Sequence, residues 1–167
     1  YAVGANLSGK NFDNLNLQNA VFDKADLSNT SFKNANIDGA RFVFANLDNS
    51  NLLDRISLSN INLAGTDLSN VSLNGKDLSG TMLTGIDLSY KDLTGADLID
   101  TILTGADLTG TILRGADLSG KDMKKTILKD ADLSDAIIIG VDLSSKDLTG
   151  TILTGADLSK TNFQYTN

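Results

Sequence analysis

The stretch Thr101–Gly120, TILTGADLTGTILRGADLSG, places a leucine at every fifth position (Leu103, Leu108, Leu113, Leu118) and a glycine two residues after each one. Five residues of α-helix rotate by about 500°, so successive leucines would drift by about 140° and share no face. A straight strand fails as well, because an odd spacing sends alternate leucines to opposite faces. The chain must therefore turn once every five residues and bring each leucine back to point inward.

The same period runs outward in both directions. Apolar centres recur from Leu7 to Leu52, resume at Leu58 and continue to Phe163, giving 32 centres with one slip. This spacing excludes the heptads of a coiled coil, leucine-rich repeats, and the six- and nine-residue β-helices. With the central apolar residue labelled i, all 15 glycines fall at i+2, together with Asn14, Asn19, Asn29, Asn34, Asn49, Asn60 and Asn70. Gly and Asn accept positive φ at low cost, as the second central residue of a type II turn requires, so a corner at i+1/i+2 is expected. Position i−2 is mostly small or β-branched (Ala96, Thr101, Ala106) and should point inward with i, leaving i−1 and i+1 outside. All 21 acidic residues are Asp, mostly at i−1, which suggests a short carboxylate hydrogen-bonded to nearby backbone.

A chain of 167 residues, 41% hydrophobic, predicts one domain over residues 1–167, with a one-residue register slip at 52–58. Cys, His and Trp are absent, which removes disulfides, thiolate or imidazole metal sites and Cys- or His-based nucleophiles; no cofactor is expected. The net charge of −7 argues against nucleic acid or an anionic membrane as a direct partner. No uninterrupted apolar run is longer than Ala136 to Ile139, far short of a membrane span, so a soluble chain is expected. The first residue is Tyr1, which leaves upstream processing open and the compartment unassigned.

The units ADLTG, ADLSG, ANLSG and KDLTG resemble the pentapeptide-repeat family, and the resemblance covers essentially the whole chain. It implies an all-β fold, a right-handed quadrilateral parallel β-helix with four repeats per coil. That gives about eight coils and, at a spacing of about 4.8 Å, a rod about 38 Å long. Each centre would then pack on the residue 20 positions away, with Phe12 on Phe32 and Phe22 on Phe42 forming aromatic stacks on opposite sides.

Four departures from the repeat stand out. The insertion in NLLDRIS (Asn51–Ser57) reads first as a one-residue bulge at a corner, and alternatively as a recognition feature that exposes Leu53, Asp54 and Arg55. Lys10, Lys76, Lys91, Lys121 and Lys146 occupy inward i−2 sites, and each ammonium is expected to escape between coils toward a neighbouring Asp. Apolar residues replace polar ones outside, among them Val43, Phe44, Met82 with Ile102, Ile99, Ile112, Ile127, Ile137, Ile139 and Ile152. Clusters of this kind mark protein contacts, which makes Met82, Ile99, Ile102, Ile137 and Ile139 candidate interface residues beside Leu53 and Arg55. Finally, no helical segment covers either terminal coil. The sequence predicts either end-to-end pairing of two chains through Phe163 and Tyr165 or a cap lying beyond this stretch.

The leading expectation is a non-enzymatic, rigid solenoid scaffold for an unidentified protein partner. The alternative implied by the resemblance is an acidic DNA mimic that binds a type II topoisomerase such as gyrase, as in the quinolone-resistance branch. Two features of that branch, projecting loops and a C-terminal dimerisation segment, have no counterpart here. Columns such as Asp77, Asp97 and Asp117 suggest cation binding, but an extended wall offers no cage. Ordered Thr rows (Thr84, Thr104, Thr109) suggest ice or crystal-surface binding, and Lys124, Lys129 and Arg114 interrupt them.

Overall fold

A computed structural model describes all residues, 1–167. The chain forms no helix and no long strand; it is a succession of single-residue parallel bridges separated by turns. Before the insertion, bridged residues lie 20 apart, as in Asn6↔Asp26 and Val21↔Arg41, and after it the same spacing holds, as in Met82↔Ile102 and Asp87↔Asp107. Arg41↔Asn62, which spans the insertion, lies 21 apart. A 20-residue coil of four five-residue sides follows directly. We number the faces by their centres: the first through Leu78 and Leu98, the second through Leu83 and Leu103, the third through Leu88 and Leu108, the fourth through Leu93 and Leu113.

One corner illustrates the bonding. The Leu88 N–H donates to the Asp107 carbonyl (2.9 Å), the Asp107 N–H donates back to the Ile86 carbonyl (2.8 Å), and Tyr90 N–H donates to Thr109 (2.8 Å). The turn itself is closed by the Lys91 N–H on the Leu88 carbonyl (3.1 Å). Positive φ occurs at i+2 throughout, at all 15 glycines and at Asn14, Asn19, Asn29, Asn34, Asn49 and Asn60. Asn70 departs from the expectation, for its φ is not positive; neither is that of Asp54, which lies within the insertion.

The i+1 N–H inside a turn has no partner in the ladder, and where i−1 is Asp or Asn its side chain commonly supplies one. Asp87 Oδ1 accepts the Ser89 N–H (2.9 Å) and Asn6 Oδ1 accepts the Ser8 N–H (3.1 Å), a contact repeated along the rod. Inside, the centres stack into one continuous apolar core from Phe22 to Leu143. Phe12 stacks on Phe32 (centroids 5.0 Å, 19°) and Phe22 on Phe42 (5.4 Å, 13°), and the two columns also meet edge to face. The buried Thr81 and Thr111 at i−2 donate their hydroxyls to the Leu58 and Leu88 carbonyls of the coil before.

Two expectations are corrected here. The insertion inverts its own side chains: Leu53 is buried, 7% exposed, while Ile56, which the pattern places inside, is 78% exposed. One extra residue shifts the alternation of inward and outward positions by one, so the residue expected outside fills the core. Arg55 is half-buried, and its guanidinium donates to the Phe32 and Ala35 carbonyls (3.3 and 3.0 Å). The inward lysines do lie between coils, but their ammonium groups meet carbonyls and form no ion pair with Asp. Lys76 reaches Arg55 O (2.7 Å), Lys121 reaches Leu98 O (2.5 Å), and Lys146 reaches Thr126 O (2.9 Å). Lys91 meets the Ser69 and Val71 carbonyls, and Lys10, in the first coil, is exposed. A carbonyl of the preceding coil lies closer to the i−2 stem than the outward i−1 carboxylate does. Burial pushes the Lys76, Lys121 and Lys146 ammonium groups below the usual 10.5, with neighbouring Asp charges opposing that shift.

Candidate interaction surface

On the second face, three successive coils present Asn62, Met82 and Ile102 at i−1 and Ala64, Thr84 and Thr104 at i+1. The i−1 residues are bridged in register, Asn62↔Met82↔Ile102, so the backbone beneath them is a continuous parallel ladder. Met82 and Ile102 are 39% and 41% exposed. None of the six side chains is charged, in a chain of net charge −7. The patch is bounded on one side by the Arg41–Asp23 ion pair (2.7 Å) and on the other by Asp122 and Lys124. Phe44, 63% exposed, lies at its corner with its ring over Gly65, where an added Cβ would clash with the Phe44 ring.

The other sequence candidates do not join this patch. Ile99 (60% exposed), Ile137 (39%) and the half-buried Ile139 lie on the first face, separated along its outer columns by Asp117 and Ser119. Leu53 is buried and Arg55 is engaged with backbone carbonyls, so neither presents a free tip to a partner. In the last coil Phe163 is half-buried and Tyr165 is 88% exposed. Tyr90, 76% exposed, escaped the sequence reading because it stands at an i+2 corner that Gly or Asn more often fills; like Phe44, it lies over the glycine one coil on, Gly110.

The acidic surface is ordered by hydrogen bonds. Asp77 accepts from the Ser79 and Ser57 hydroxyls (2.6 and 2.8 Å) and from the Ser79 N–H (3.0 Å), which together hold its carboxyl below the ordinary 3.8. Asp67, Asp87 and Asp117 are lowered in the same way by the serines at i+1, Ser69, Ser89 and Ser119. Asp77 and Asp97 are bridged neighbours, but the ladder does not continue to Asp117, and nowhere do three carboxylates converge closely enough to hold a metal ion. No helix is long and apolar enough to cross a membrane.

The geometry defines a class: a parallel β-solenoid with 20-residue coils and an ordered polar exterior. A model of pentapeptide repeats matches residues 92–130 and 126–164, and a model of a pentapeptide repeat region matches residues 5–83; the chain belongs to the pentapeptide-repeat family, whose fold is the right-handed quadrilateral β-helix. Solved structures similar to it are themselves pentapeptide-repeat or resistance proteins. Rfr23 from the cyanobacterium Cyanothece 51142 is 28% identical over 55% of this chain and 58% of its own, with a TM-score of 0.39, so this chain spans little more than half of that relative. HetL, involved in heterocyst differentiation regulation in Nostoc sp. strain PCC 7120, is 25% identical over 96% of this chain and 87% of its own (TM-score 0.32). Full-length QnrB1, a plasmid-mediated fluoroquinolone resistance protein, is 18% identical over 99% of this chain and 89% of its own (TM-score 0.33). No curated protein matches the chain.

Proposed function

We propose that the chain is a non-enzymatic scaffold, a rod of about eight coils that presents the uncharged strip of its second face to a protein partner. The observation that supports this is the conjunction of exposed Met82 and Ile102 with a parallel ladder beneath them and no charged side chain within the strip itself. A partner covering the strip desolvates apolar and hydroxyl groups without burying a carboxylate, the cheapest surface on an acidic rod to dry. The test is photo-crosslinking from position 102 on the second face and from position 89 on the third, in an extract of the source cells. A partner captured from 102 alone, and lost in Met82→Asp, supports the reading. Equal capture from both positions, or capture indifferent to Met82→Asp, contradicts it.

A second reading, an acidic mimic of DNA that engages a type II topoisomerase, draws on the Asp rows: Asp67, Asp87 and Asp107 on the third face, and Asp77, Asp97 and Asp117 on the first. The rows are interrupted one coil later by Ile127 and Ile137. Inhibition of gyrase supercoiling that disappears in Asp87→Asn/Asp107→Asn would favour this reading over the first; absence of inhibition removes it.

A further inference from the structure

The insertion does more than shift the register. Between residues 2–20 and 21–41 the backbone makes twelve hydrogen bonds, spread over all four faces. Between residues 1–55 and 56–167 it makes three, and all lie on the second face: Phe42 N–H to Asn62, Phe44 N–H to Ala64, and Asn62 N–H to Ala40. One side-chain bond joins them, from the Lys76 ammonium to the Arg55 carbonyl. On the third face Leu47 and Asn49 have no backbone acceptor, whereas their counterparts one coil earlier, Leu27 and Asn29, donate to Asn46 and Asp48. A cleft of about 310 Å³ opens there across the third and fourth faces, lined by Asp48, Ser50, Leu53, Asp67, Val71 and Lys76 among others.

We infer that this seam is a hinge built into the rod: residues 1–55 and 56–167 tilt as two bodies about the second-face ladder, opening and closing the third and fourth faces. Three features carry it. The directional bonds that fix one coil on the next survive on one side only, and that side defines the pivot. Apart from the Lys76–Arg55 bond, the core contacts that remain elsewhere are apolar, through Leu47, Leu52, Leu53 and Leu58, and such contacts are non-directional and tolerate a tilt. In a solenoid each coil is held only by its neighbours, so the weakest interface between coils sets where the rod yields. The continuous core limits the motion to a bend, and Arg55, clamped on the Phe32 and Ala35 carbonyls, ties the extra residue to the first body so that the bend falls after it.

The absence of Cys makes the test direct. Spin labels on Asp48→Cys/Ser69→Cys span the seam on the third face; Val43→Cys/Ala64→Cys span it on the pivot side; Ser89→Cys/Thr109→Cys span a fully bridged step of the third face. The hinge predicts a distance distribution at least twice as broad for the first pair as for the other two. It predicts that deleting Asp54, which restores the five-residue step, narrows the first distribution to the width of the controls. Equal widths for all three pairs, or a first pair no broader than the pivot pair, would overturn the inference, and these comparisons need no deletion variant to fold.

Discussion

The i−1 carboxylate of Asp77 reaches the backbone N–H two residues on, a span that one methylene fits and two overshoot. This explains why the acids at i−1 are all Asp and why Asn takes their place in the early coils without changing the geometry. Asp77→Glu should lose the turn contact and cost about 1 kcal/mol in urea unfolding, whereas Asp77→Asn should keep it. The carboxylates are held below the ordinary 3.8 in the folded state by the serine hydroxyls and N–H groups they accept. Their stabilising contribution is therefore fully present above 3.8 and is lost as pH falls through the lower folded values. Urea midpoints measured from pH 5 downward should fall below pH 4, and less steeply in Asp77→Asn. At the corners, an alanine at Gly65 must displace the Phe44 ring, whereas one at Gly115 meets nothing within 4 Å. Both substitutions bear the cost of positive φ, about 1 kcal/mol, so Gly65→Ala should lose about 1 kcal/mol more than Gly115→Ala. Adding Phe44→Ala should remove most of that difference, and a double-mutant cycle by denaturant unfolding measures it.

At the scale of one coil side, the inward lysines act against the ladder. Lys91, Lys121 and Lys146 place their ammonium groups on the Val71, Thr101 and Thr126 carbonyls, and the N–H groups of Asp92, Asp122 and Asp147, which the pattern directs there, make no backbone bond. Threonine at i−2 behaves otherwise: Thr101 and Thr111 send their hydroxyls to the Leu78 and Leu88 carbonyls and leave the ladder intact on that side. Lys121→Thr should thus restore the Asp122 N–H to Thr101 bond, release a half-buried charge and raise stability by about 1–2 kcal/mol in urea unfolding. No gain would mean that the opened pairs have another cause. The centres, the corners and the i−1 contact were legible from the period because each depends on residues within one repeat. The partners of the lysines were not, since they depend on which atom of the neighbouring coil lies nearest the stem. Leu53 was misread for a related reason: an alternation extrapolated through an insertion cannot say on which residue it resets.

For the whole molecule, the sequence made the solenoid readable along its full length, and it marked the slip at Leu52–Leu58 without revealing what the slip does to the pairing. The uncharged second-face strip was half visible, through Met82 and Ile102; its extent depended on knowing that Asn62, Ala64, Thr84 and Thr104 share that side. The same face carries both the strip and the pivot, so a partner bound there sits on the part of the rod whose ladder runs through the seam. At the seam backbone bonds join the coils on the second face alone, and residue-resolved native-state hydrogen exchange tests this most directly. The account predicts slow exchange at Phe42, Phe44 and Asn62, which bridge the seam, and at Leu88, Asp107 and Ile112 in bonded coils, with fast exchange at Leu47, Asn49 and Asp67. Uniform protection across the third and fourth faces from Leu47 to Leu93 would contradict it.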